Sequence, residues 1–134
     1  MSQFKFVLYA DDDVDDKDWV SDACRAIDSG LNVGFVENGR QVFDYLNKDE
    51  GPVLPALIVL ELNMPELDGR QTLQKLKAHP QYQHIPVAIV TTSTNQIDRE
   101  VCQRLGASVY LTKPDTHQEW QNIIRELLPF VGEK

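Results

Sequence analysis

Ala56-Leu57-Ile58-Val59-Leu60-Glu61-Leu62-Asn63-Met64-Pro65-Glu66-Leu67-Asp68-Gly69 is the stretch whose reading decides the fold. Five consecutive apolar residues make a buried strand. The carboxylate of Glu61 ends it, and Pro65 and Asp68-Gly69 then signal a turn. An acid therefore stands at the C-terminal edge of a sheet, the edge at which open α/β sheets bind ligands.

Working outward, apolar runs of strand length alternate with helix-period segments. The strands read as Lys5–Ala10, Leu31–Val36, Ala56–Leu60, Pro86–Thr91 and Val109–Leu111. Between them Val20, Ala23, Cys24 and Ile27 recur at helical spacing, as do Val42, Phe43 and Leu46, then Leu73 and Leu76, then Ile97, Val101 and Leu105. Trp120, Ile123, Ile124, Leu127 and Leu128 follow i, i+3, i+4, i+7, i+8, so the last helix is expected to run to about Leu128, with Pro129–Lys134 a short tail. Ser29-Gly30, Gly106 and Pro80 supply helix stops. Strict βα alternation needs crossovers and so implies a parallel sheet with helices on both faces. The expectation is a doubly wound α/β sandwich of three layers, five strands in flavodoxin-like order 2-1-3-4-5 and five helices.

At 134 residues the chain is expected to form one domain, 1–134, with nothing left over for an output domain. Its apolar content of 42% and charged content of 25% are those of an ordinary globular protein. A formal charge of −8 with scattered Lys and Arg argues against a nucleic-acid surface. Cys24 and Cys102 belong to no CxxC pair and sit in apolar helical patterns, which reads as buried, reduced thiols. No apolar run approaches the roughly 20 residues of a membrane span, and no signal peptide precedes the first strand. A cytoplasmic protein is expected.

The topology delivers chemistry to one edge. Strand 1 ends in Asp11 and Asp12, strand 3 in Glu61, strand 4 in Thr91 and strand 5 in Lys113. Three acids, a hydroxyl and an ammonium suit a hard cation and a phosphoryl group: carboxylates hold Mg²⁺, and the ammonium and hydroxyl stabilise phosphoryl oxygens. Blander readings stand beside these. Asp13, Asp15 and Asp16 read as an N-cap and dipole-favoured charge opening a helix. Thr91–Asn95 has the composition of a polar loop. Lys113-Pro114 alone would be a turn.

Val7-Leu8-Tyr9-Ala10-Asp11-Asp12-Asp13, Leu60–Pro65 with Asp68-Gly69, Pro86–Ser93 and Tyr110-Leu111-Thr112-Lys113-Pro114 form an ordered set. From about Phe4 to Val131 this chain resembles the response-regulator receiver domain of two-component (phosphorelay) signalling, the CheY-like family, and within it the compact single-domain branch associated with phytochrome-type kinases. The resemblance implies that Asp11 and Asp12 are the acidic pair, Asp12 being the direct Mg²⁺ ligand, and that Asn63 adds a backbone carbonyl to a metal site shared with Glu61. It implies that Thr91 closes on the phosphoryl group, Lys113 pairs with it, and Tyr110 packs inward as a switch. By its own pattern Tyr110 could equally be a half-buried strand aromatic with a wet hydroxyl.

The family's phosphate-accepting aspartate falls at position 61, where this chain has glutamate. One extra methylene moves the carboxylate by roughly 1.5 Å, and a misplacement of about 1 Å can cost on the order of 10² in rate. Weak or absent phosphorylation is expected. The longer carboxylate also reaches toward the phosphoryl position, where pairing with Lys113 and Thr91 would bias the switch toward its active arrangement. With one charge against nearly two, the imitation would be partial.

The reading is therefore a non-enzymatic, atypical receiver, a monomer or weak homodimer. Its partners would be a sensor histidine kinase or phosphotransfer protein and a downstream protein target, with no nucleic acid and no membrane. The usual output face of the family corresponds to about Gln96–Leu128. An alternative is a small metal-dependent phosphatase of the haloacid-dehalogenase type, with Asp11 and Asp13 as its DxD loop. It lacks the hydroxyl or valine expected two residues beyond the second Asp, an acidic pair after Lys113 and room for a cap domain. Nucleotide or flavin binding lacks a Gly-rich turn after strand 1.

Overall fold

A computed structural model describes residues 5–27, 30–48 and 54–131. Within them run β1 (Lys5–Ala10), α1 (Val14–Ile27), β2 (Leu31–Val36), α2 (Gly39–Leu46), β3 (Leu57–Leu60), α3 (Gly69–Ala78), β4 (Val87–Thr91), α4 (Gln96–Leu105), β5 (Val109–Thr112) and α5 (His117–Val131). The strands form one sheet in the order β2-β1-β3-β4-β5, every pair parallel, as the alternation required. One row of partners crosses the whole sheet: Val36, Ala10, Leu60, Ile89 and Tyr110. The residues that follow each of these therefore emerge together at one edge.

Side-chain alternation along a strand divides the core into two layers. Leu8, Ala10, Ile58, Leu60 and Ile89 face α2, α3 and α4, where Val42, Leu73, Leu76 and Cys102 meet them. Val7, Tyr9, Leu57, Val59 and Val90 face α1 and α5, against Val20, Cys24, Trp120, Ile124 and Leu127. β3 is buried at all four positions because both its faces are covered, which is why its sequence shows no polar alternation. Cys24 and Cys102 are buried, one in each layer.

Most element limits agree with the pattern, and the exceptions have local causes. β4 begins at Val87 because Pro86 has no N–H for the ladder, although its carbonyl still accepts from Ile58 at 3.0 Å. β5 continues one residue further, to Thr112. α5 does not stop at Leu128 but runs through Pro129 to Val131. Proline is tolerated there because Val131 is buried against the sheet, which contributes about 1.5–3 kcal/mol and offsets one lost hydrogen bond. Gly106 caps α4 in the left-handed conformation, with φ 107°. α3 ends at Ala78, with His79 its cap and Pro80 just beyond. Ser29 and residues 132–134 lie outside the described residues.

Candidate functional site

The last rungs of the sheet set the site's framework. Asp11 N–H donates to the Val36 carbonyl (3.0 Å), Glu61 N–H to Ala10 (3.0 Å) and Lys113 N–H to Thr91 (2.7 Å). Three of the site residues are thus held by main-chain bonds one step past their strands. The loop after Glu61 is pinned at Gly69, whose N–H donates to Leu62 at 2.9 Å. A Cβ at position 69 would come 2.4 Å from the Glu61 carbonyl oxygen, so only glycine permits this approach.

Into this edge the chain delivers an ammonium ringed by carboxylates. Lys113 Nζ lies 2.8 Å from Asp11 Oδ2, 2.6 Å from Asp16 Oδ2 and 2.9 Å from Glu61 Oε1. An ammonium has three N–H donors, and these three oxygens match them. The second oxygen of Glu61 accepts the Thr91 hydroxyl at 2.5 Å and the Asn63 N–H at 3.2 Å. Asp11 Oδ1 accepts from the Asp13 N–H at 3.0 Å. Asp11, Glu61 and Thr91 are all buried.

Burial shifts both signs of charge here. It pushes Asp11 up from 3.8 to about 6, against the lowering hydrogen bonds of Lys113 and the Asp13 N–H. Burial alone would lower the Lys113 ammonium, but hydrogen bonds to Asp11, Asp16 and Glu61 outweigh it and raise the group above its ordinary range.

Five of the expected residues come together: Asp11, Glu61, Thr91, Lys113 and, through its N–H, Asn63. Tyr110 is also resolved. It is buried, its hydroxyl donates to the Ser93 carbonyl at 3.1 Å, and the Arg99 guanidinium lies 4.8 Å over its ring. The hydroxyl is bonded inward rather than wet. Asp13 is the N-cap expected of it, accepting from Asp15 and Asp16 N–H.

Asp16 departs from the expectation. Read as mere helix-opening charge, it is instead a direct partner of Lys113. The signal was present: Asp16, Val20, Ala23, Cys24 and Ile27 follow i, i+4, i+7, i+8, i+11, so Asp16 continues the buried stripe of α1 by one turn toward the sheet edge. Asp12 is exposed and stands outside the cluster around Lys113.

The implied Mg²⁺ cradle of Asp11, Asp12, Glu61 and the Asn63 carbonyl is not what these residues form. Among the described residues no group of three or more His, Cys, Asp and Glu side chains is placed to hold a metal ion. Every carboxylate oxygen of Asp11 and Glu61 already faces Lys113, Thr91 or a backbone N–H. As they stand, these oxygens point at protein donors rather than at the open octahedral positions a Mg²⁺ shell uses.

Residues 7–125 match the family model for the response regulator receiver domain. The chain belongs to that family. Response regulator Rre1 of Synechocystis sp. is 35% identical over 118 residues, covering 86% of this chain and 49% of Rre1. The chain thus spans about half the length of that relative. Response regulator Rcp1 of the same organism is 30% identical over 112 residues, 81% of this chain and 76% of Rcp1. The crystal structure of its Mn(2+)-bound form superposes with a TM-score of 0.83 at 27% identity, covering 94% of this chain and 93% of that one. The phosphorylated cyanobacterial phytochrome response regulator RcpA gives 0.87 at 27% identity, over 96% and 94%. This receiver is thus similar to phytochrome-associated regulators, as its motifs implied. The phosphatase alternative finds no support in these matches, and receivers are signalling proteins. Among the described residues no helix is long and apolar enough to cross a membrane.

Proposed function

We propose that this receiver signals through protein contacts in a state set by Glu61 rather than by a phosphoryl group. One observation carries the reading: Glu61 reaches Lys113 with one oxygen and the Thr91 hydroxyl with the other, while Tyr110 packs inward. These are the contacts that the family resemblance assigns to an activated site. The extra methylene of Glu61 brings its carboxylate to the groups a phosphoryl oxygen would engage. Arg70, Asp98 and Ser93 support the same arrangement: Asp98 accepts from Arg70 at 3.0 Å and from the Ser93 hydroxyl at 2.7 Å, tying the loop after Thr91 to α3 and α4. A downstream protein would dock on α4, β5 and α5, where Ile97 is 68% exposed. A histidine kinase or phosphotransfer protein remains the proposed upstream contact. A monomer or weak homodimer, cytoplasmic and without nucleic acid or membrane contact, is the state in which this would operate.

The test is intact mass after incubation with Mg²⁺ and a small acyl-phosphate donor. Glu61→Asp should gain one phosphoryl group and the wild type none. A modified wild type would make Glu61 a competent acceptor and remove the basis of the proposal. If neither reacts, a fixed docking scaffold replaces it.

A further inference from the structure

We infer that Lys113, caged by Asp11, Asp16 and Glu61, is the built-in cation of this pocket, and that the wild-type domain therefore has no working Mg²⁺ site. The inference rests on the cage geometry and the family assignment, and stands or falls apart from the mimic reading.

The ammonium sits at 2.6–2.9 Å from three carboxylates and is only 10% exposed. That is the place and the coordination by acids that a small cation would take. Mg²⁺ is octahedral and keeps several waters, so it needs open oxygens on one side and room for its shell. Here all four oxygens of Asp11 and Glu61 are turned to protein donors, Glu61 Oε2 to both the Thr91 hydroxyl and the Asn63 N–H, the others to Lys113 or the Asp13 N–H, so a Mg²⁺ ion would have to share them with the Lys113 ammonium it repels. Asp12, the side chain left outside the cage, is exposed and offers one carboxylate alone.

Asp16 is what distinguishes the cage from a simple pair. Placed in the first turn of α1, it supplies the third acceptor, so no N–H of Lys113 is left to be drawn away. Glu61 closes the cage from the opposite side because its extra methylene lets it reach Lys113 and Thr91 at once. Three acids around one ammonium leave the pocket rich in negative charge. A divalent ion is therefore excluded by the cage's geometry, not by a shortage of carboxylates, and opening the cage should create a site.

Titration of the folded protein with MgCl₂, read by calorimetry and by melting temperature, tests this. The wild type should show no saturable heat and no rise in Tm up to about 10 mM Mg²⁺, a range in which a millimolar site would stabilise measurably. Glu61→Asp, which draws the carboxylate back by one methylene, should bind saturably and melt several degrees higher with Mg²⁺. Lys113→Gln should do the same; should it not fold without metal, Glu61→Asp carries the test alone. Wild-type binding as tight as that of Glu61→Asp would overturn the inference. So would the absence of Mg²⁺ binding in Glu61→Asp, since the cage would then not be what excludes the ion. Wild-type Mg²⁺ binding would leave the mimic reading untouched, because that reading concerns the contacts of Glu61 with Lys113 and Thr91 and not the metal.

Discussion

Neutralising the two ends of the Glu61–Lys113 contact should have unequal consequences, because one ammonium serves three acids. At an effective dielectric near 20, an ion pair at 2.9 Å is worth about 6 kcal/mol before desolvation. Legs of 2.8 and 2.9 Å through Lys113 Nζ allow Asp11 and Glu61 oxygens to be at most about 5.7 Å apart, a repulsion of about 3 kcal/mol or more. The leg of 2.6 Å to Asp16 gives a second repulsion of about the same size. Glu61→Gln therefore loses one attraction and sheds two repulsions that balance it. Its amide oxygen can still accept the Thr91 hydroxyl, but its NH₂ group then faces the Lys113 ammonium, two donors together, so the net cost should be about 1–3 kcal/mol. Lys113→Gln loses all three attractions and strands three buried or half-buried acids, a loss of about 3–5 kcal/mol. Against a total stability of about 5–15 kcal/mol that is a large fraction. Urea unfolding of wild type and both variants at pH 7, followed by far-ultraviolet circular dichroism, measures the two values. Equal losses, or a larger loss for Glu61→Gln, would show that the acids are not sharing one ammonium.

Asp11 gives a pH dependence. Its folded pKa of about 6 lies above the ordinary 3.8, so the folded state holds this proton more tightly than the unfolded chain. The associated stability is complete below pH 4 and lost as pH rises through 6. Asp11→Asn should therefore gain on the wild type between pH 4 and 7 in parallel urea titrations; a flat difference would mean that Lys113 cancels the burial. Gly69→Ala should destabilise by about 1–3 kcal/mol, since its Cβ meets backbone at 2.4 and 2.8 Å, and neither Glu61 nor Leu62 backbone can yield cheaply. A urea midpoint within error of wild type would contradict that packing. Asp98→Ala removes the half-buried link among Arg70, Ser93 and α4 and should cost about 1–2 kcal/mol. Amide exchange at Ser93–Asn95 should quicken with it; unchanged exchange would leave the Asp98 link without a role in holding that loop.

Sequence by itself determined the alternation of strands and helices, the parallel order of the sheet and the edge where Asp11, Glu61, Thr91 and Lys113 emerge. Those follow from periodicity and from the rule that parallel strands end on the same side, both of which are local or topological. Tertiary structure decided which of five neighbouring acids matter. Asp11, Asp12, Asp13, Asp15 and Asp16 differ little as sequence, yet Asp11 is buried, Asp12 and Asp15 are exposed, Asp13 caps a helix and Asp16 grips Lys113. Asp16 reaches the edge because it continues the buried stripe of α1 that packs on the sheet, whereas Asp12 and Asp15 face away from it. The same holds for Tyr110, whose inward hydroxyl depends on Ser93 from another strand's loop, and for α5, which passes Pro129 because Val131 finds a place in the core. Contacts of this kind join residues far apart in the chain, and no local pattern encodes their distances.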